Sequence, residues 1–111
     1  MTERPPGPAP TRPSPRSVAA LLDLLGKRWA LRVLWELRSG RSGFNDLQRR
    51  CDGMSSSVLG QRLRELRSAG IVHDDSAHHW ELTRHGDELL ASLGGVEAWA
   101  NRWAKRSRDD S

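Results

Sequence analysis

Leucines recur at positions 59, 63 and 66 within residues 55–70 (SSSVLGQRLRELRSAG), with polar residues between them. At about 100° per residue, that spacing gathers the three leucines on one side of a helix. The opposite side then carries Ser57, Gln61, Arg64 and Ser68, with Arg62 and Arg67 on the flanks. Ser55 stands where an N-cap belongs, and Gly70 stands where such a helix ends.

Shorter patterns surround this helix. Upstream, Ser17 can cap a helix over residues 18–25 that sets Leu21, Leu22 and Leu25 to one side, before Gly26 breaks it. A second helix is expected over about residues 27–38, with Trp29, Ala30, Val33, Leu34 and Leu37 at helical spacing and Gly40 as its C-cap glycine. Ser42 or Gly43 opens a third, with Phe44 and Leu47 inward, and Asp52-Gly53 makes the turn into the leucine helix. Downstream, Ile71-Val72 and Trp80–Leu82 read as two strands of a small hairpin. Thr83 caps a fifth helix to about residue 93, and Gly94-Gly95 interrupt it. A sixth covers residues 96–105, with Ala98, Trp99, Trp103 and Ala104 as its apolar positions. The order predicts a mainly α fold with a small β-hairpin, a winged helix-turn-helix spanning residues 17–106, with residues 107–111 frayed.

The polar face of the leucine helix has chemical meaning. Glutamine can bond adenine bidentately and arginine can bond guanine bidentately in the major groove. Ser56, Ser57, Gln61 and Arg64 are therefore candidates for base contacts. Arg41, Arg49, Ser55, Arg62 and Arg67 are candidates for phosphates, which basic side chains and helix N-termini attract. Gly60 either allows close approach to DNA or is a weak point in the helix. Charge changes the picture in the same direction. The net charge is +4, and residues 38–67 hold seven arginines against Asp46, Asp52 and Glu65, so this window carries the whole excess. Such clustering is the electrostatic footprint of a polyphosphate partner, although a GC-rich genome would also favour arginine.

A chain of 111 residues, 36% hydrophobic and 29% charged, is one small domain whose modest core a dimer interface would supplement. No apolar run is long enough to span a membrane, no signal-peptide core is present, and a single cysteine fits a reducing cytoplasm. All six prolines fall within residues 1–16, which read as a disordered, arginine-containing arm that either touches DNA or merely solubilises. Nucleophile-elbow, phosphate-loop and metalloprotease motifs are missing, so neither catalysis nor a cofactor is expected. His73, Asp74, His78, His79 and His85 crowd the hairpin, but without paired cysteines no metal site is assigned. Cys51 lies beside Arg49 and Arg50, near a helix N-terminus; both would lower its pKa and make it a candidate redox switch. Five tryptophans suit core and dimer packing, or a pocket for a planar small-molecule effector.

Several of these stretches, taken in order, resemble the HxlR family of bacterial winged helix-turn-helix regulators. LLGKRW at residues 24–29 resembles its Leu-Gly-x-Lys-Trp, and Phe44-Asn45-Asp46-Leu47 its Phe-x-Glu-Leu. SSSVLGQRLREL resembles its recognition helix, AGIV its Asp-Gly-Leu-Val, and ELTRHGDELL at residues 81–90 its Leu-Thr-x-x-Gly-x-x-Leu, while Trp99 fits its terminal helix. The resemblance runs from about residue 21 to 103. It implies a cytoplasmic homodimer on double-stranded DNA, joined through N- and C-terminal helices bearing Leu21, Leu22, Trp99 and Trp103. Two recognition helices would enter successive major grooves of a pseudo-palindromic operator, under the control of a small molecule or reactive species. Two features depart from the family. The hairpin is short and carries Asp74 and Asp75, which would repel phosphate, and the cysteine ahead of the first helix in redox-sensing members is missing here. The same fold would also serve a protein-interaction adaptor or a nonspecific architectural DNA binder.

Overall fold

The computed structural model describes residues 15–110, with side chains over 16–108. The expected arm therefore lies outside the described residues up to position 14, as does Ser111. In chain order the elements are α1 (Pro15–Leu25), α2 (Ala30–Leu37), β1 (Ser42–Gly43), α3 (Phe44–Arg50), α4 (Ser56–Ser68), β2 (Val72–Asp74), β3 (His79–Leu82), α5 (Arg84–Ser92) and α6 (Val96–Asp110). Helix α1 begins two residues before Ser17, at a proline that loses no hydrogen bond in a first turn. Helix α6 continues past residue 105, where fraying is expected from the sequence, to Asp110.

The second helix is shorter than its apolar pattern predicts. Trp29 holds a left-handed backbone (φ 80°), so helical geometry starts only at Ala30. Residues 26–29 instead form a tight connector, in which Gly26 N–H donates to Leu22 O (2.7 Å) and Ala30 N–H to Lys27 O (3.1 Å). The Trp29 ring packs on the core beside Gly53, whose own φ of 92° makes the turn before α4.

The core is one cluster. Val33, Leu34 and Leu37 of α2 meet Leu47 and Cys51 at α3, Met54 in the turn, Leu59, Leu63 and Leu66 of α4, and Ile71-Val72. Burying each large aliphatic side chain contributes about 1.5–3 kcal/mol, so the α4 leucines are a main anchor. A three-stranded antiparallel sheet flanks the cluster in the order β1-β3-β2. Ser42 pairs with Trp80, and Val72 with Leu82. The two-residue strand β1 is an addition to the expected hairpin, and it covers one edge of β3.

Thr83 joins the sheet to α5. Its hydroxyl accepts from Gly86 N–H (3.1 Å) as the N-cap and donates to Gly70 O (2.6 Å). Gly86 is buried at this seam, where a Cβ would run into the Ile71 carbonyl oxygen and sit 3.1 Å from a Leu82 methyl. Gly86→Ala should lower stability by on the order of 2–3 kcal/mol. The check is a shift of the urea midpoint at constant slope; an unmoved midpoint would show that the seam yields without cost.

Candidate nucleic-acid interface

Helix α4 is set as its periodicity demands. Ser55, with φ −75° and ψ 158°, caps it, and its Oγ accepts from Val58 N–H at 3.2 Å. Leu59, Leu63 and Leu66 have no solvent exposure. Ser56, Ser57, Gln61, Arg64 and Ser68 all face outward. Arg64 makes no hydrogen bond or ion pair among the described residues. Its guanidinium leans toward the helix N-terminus over Gly60, where a Cβ would lie 3.2 Å from Nη1. Glycine at position 60 therefore gives Arg64 room on the exposed face.

Gln61 is exposed but oriented. Its Nε2 donates to Glu65 Oε2 at 3.3 Å, one turn along the helix. The same carboxylate oxygen takes a hydrogen bond from Lys27 Nζ at 3.1 Å, and Glu65 Oε1 takes one from Arg62 Nη1 at 2.9 Å. Burial works to raise the Glu65 pKa, but the Lys27 hydrogen bond and the Arg62 and Lys27 charges outweigh it and hold the carboxyl below its usual range.

The expected phosphate contacts divide into two groups. Arg62 turns inward, against expectation: its side chain is only 15% exposed. Its Nε donates to Arg28 O at 2.8 Å. With both ends of the guanidinium occupied by protein, it braces α4 against the α1–α2 connector rather than presenting itself to DNA. Arg41, Arg49 and Arg67 remain exposed and carry surface ion pairs, to Asp75 (2.9 Å), to Asp46, and to Asp74 (3.2 Å) respectively. Arg67 also lies 5.5 Å from the Trp80 ring centroid. Exposed pairs of this kind are worth about 0–1 kcal/mol, so a phosphate can replace the carboxylate at little cost.

The two wing acids are thus neutralised by arginines from the body of the fold. Asp75 also builds the wing tip, accepting N–H bonds from Ala77 and His79, each at 2.9 Å. The His79 bond foremost, followed by the Ala77 bond and Arg41, lowers its pKa in spite of partial desolvation. The wing histidines do not converge: His73 pairs with Glu81 (2.9 Å) and His79 approaches Asp75 (3.9 Å). Among the described residues, no three His, Cys, Asp or Glu side chains come together as a metal site would need.

The premise for Cys51 as a redox switch is reversed. The thiol is fully buried in the core cluster. Burial pushes its pKa up; Arg32 and Arg50 pull it down and Glu36 raises it, without changing the direction. Arg49, its neighbour in sequence, faces Asp46 instead.

Large apolar side chains stand exposed on α1 and α6. Leu22 is 62% exposed, Trp99 56% and Trp103 58%, while Leu21 is half-buried. The two tryptophan rings stack on each other with centroids 5.8 Å apart. Beside them, Leu31, Trp35, Leu90, Leu93 and Val96 line a groove of about 460 Å³. No helix among the described residues is long and apolar enough to cross a membrane.

Lys27, Arg28 and Glu65 are the residues of this region that the sequence reading did not assign. Lys27 lies inside the LLGKRW stretch, which singled out the segment but not its contact with α4.

Known proteins share this arrangement. The family model for the HxlR-like helix-turn-helix matches residues 24–108. Over 88 residues the chain is 31% identical to YvaP of Bacillus subtilis, an HTH-type transcriptional regulator, covering 74% of this chain and 82% of the relative. The fold is similar to that of a MarR-family transcriptional regulator from Enterococcus faecalis (TM-score 0.73, 28% identity, 91% of this chain and 97% of that one). It is similar also to quinone-bound YodB of Bacillus subtilis (TM-score 0.72, 29% identity, 78% of this chain and 98% of that one). A leucine-anchored helix with a polar outer face, a three-stranded wing sheet and a family match over most of the chain lead to one conclusion: this protein belongs to the HxlR-like helix-turn-helix family of transcription regulators.

Proposed function

We propose that two copies of this chain bind an inverted-repeat operator in the cytoplasm, each placing α4 in a major groove. The observation that carries this reading is the division of α4: three leucines are wholly buried while Ser56, Ser57, Gln61 and Arg64 are presented outward on a rigid helix. These four would contact bases; Arg41, Arg49, Arg67 and the α4 N-terminus at Ser55 would contact phosphates. Leu21, Leu22, Trp99 and Trp103 would meet their counterparts in the second copy, because exposed aromatic and aliphatic side chains of this extent mark an interface. YodB has been solved with a quinone bound. A small-molecule effector of this chain would sit in the apolar groove between α2 and the α5–α6 junction, which has the volume such ligands occupy.

The deciding experiment is selection from a random duplex library at physiological salt. Enrichment of an inverted repeat with half-sites about one helical turn apart supports a dimeric, sequence-specific regulator. Binding without enrichment would favour an architectural role, and no binding an adaptor. Gln61→Ala should relax preference at one position per half-site, at about 1–3 kcal/mol.

Two arginines should separate cleanly. Arg67→Ala should weaken binding to all sequences and reduce the salt slope by about one. Arg62→Ala should leave the slope alone and lower stability by about 1–2 kcal/mol, through loss of the Arg28 and Glu65 bonds. Salt titrations and urea melts of both variants check this.

Cys51 should behave as a core side chain. Its reaction with a thiol reagent should be on the order of a hundredfold slower in the native protein than in the unfolded chain. Because the folded pKa is raised, its contribution to stability holds below the unfolded thiol's range and is lost as pH rises through the folded value. Native reactivity equal to that of the unfolded chain would restore the redox role.

A further inference from the structure

We propose that Glu65 is a positioning residue for sequence readout: by holding the Gln61 amide in one orientation, it makes that position select adenine over guanine. The inference rests on the reading of α4 as the base-contacting helix and adds to it which base is chosen and why.

A carboxylate only accepts hydrogen bonds, so an amide beside it must turn its nitrogen, not its oxygen, toward it. Glu65 is the ionised partner here. Lys27 and Arg62 flank it and its own Oε2 lies 3.3 Å from Gln61 Nε2. One N–H of the amide is thereby engaged with the protein. The second N–H and the carbonyl oxygen remain on the outer edge, a donor beside an acceptor in fixed order. Adenine offers the complement, N7 as acceptor and the N6 amino group as donor, whereas guanine offers two acceptors. An unrestrained glutamine can rotate its amide to send the nitrogen toward guanine O6. With the nitrogen held by Glu65, that rotation breaks a charge-assisted bond and faces the amide oxygen toward the carboxylate.

Glu65 is itself immobilised from outside α4. Lys27 reaches it from the connector at 3.1 Å, and Arg62 links it to the Arg28 carbonyl, 2.8 Å from Arg62 Nε. The Gln61 amide, exposed on this helix face, is therefore referenced to a tight backbone segment.

The test is parallel selection with the wild-type protein, Gln61→Ala and Glu65→Gln, scored as the ratio of adenine to guanine at each operator position. The wild type should favour adenine about tenfold or more at one position per half-site, and Gln61→Ala should lose that preference alone. Glu65→Gln can turn either end of its own amide to Gln61, so the ratio there should fall to about threefold or less while other positions hold. Glu65→Asp draws the carboxylate back by one methylene yet keeps the charge for Lys27. It should relax the same position, and it serves if Glu65→Gln does not fold. A wild-type ratio in the folded Glu65 variants, or guanine at the Gln61-dependent position, would overturn the inference and leave the proposed function standing. If Gln61→Ala alters no position, the reading of α4 itself fails, and this inference with it.

Discussion

The burial of Leu59, Leu63 and Leu66 against α2 and α3 is the constraint on which the rest depends. A helix can be rotated about its own axis until a seam of side chains fills the available space. With interiors packed at crystal-like density, three leucines in register leave one solution. That solution also decides which residues look outward. The polar outer face is therefore a by-product of packing, and the leucines determine the aim of Gln61 and Arg64 without sharing their side of the helix.

Charge on this surface is arranged economically. Among the described residues Arg64 makes no hydrogen bond or ion pair, whereas five other arginines in or near α4 do and fall into two groups. Arg62 and Arg50 hold main-chain carbonyls or a buried hydroxyl and belong to the scaffold. Arg41, Arg49 and Arg67 hold exposed carboxylates and can exchange them for phosphate. The acidic wing, which in isolation would oppose DNA, instead keeps two of those arginines extended and partly ordered before DNA arrives.

Much of this was readable beforehand, because the relevant signals are local. The leucine seam follows from helical spacing, and the caps Ser55 and Thr83 from their place before apolar runs. What could not be read depends on contacts distant in sequence or on the main chain. Strand β1 has two residues, too few to alternate, and exists because Trp80 and His79 pair with it from far along the chain. Trp29 has a helix-compatible side chain but a left-handed backbone set by the connector. Arg62 falls on the flank of the helical wheel, where inward and outward directions are equally open, and its partner is a carbonyl that no side-chain pattern records. For Cys51, neighbours in sequence misled: Arg49 points elsewhere, and desolvation dominates. The proposed dimer contacts and operator preference belong to encounters between molecules, of which a single chain shows only exposed apolar side chains such as Leu22, Trp99 and Trp103.

The bond from Arg62 to the Arg28 carbonyl has a consequence for how such a regulator can diverge. A carbonyl is supplied by any amino acid, so the brace makes no demand on the side chain at position 28, whereas arginine at 62 has no equivalent. Mutational tolerance across this contact is one-sided. The side chain at position 28 can drift while the setting of α4 against the connector stays as it was. Substitutions on the outer face of α4 can then accumulate on a platform that changes at position 28 have not disturbed.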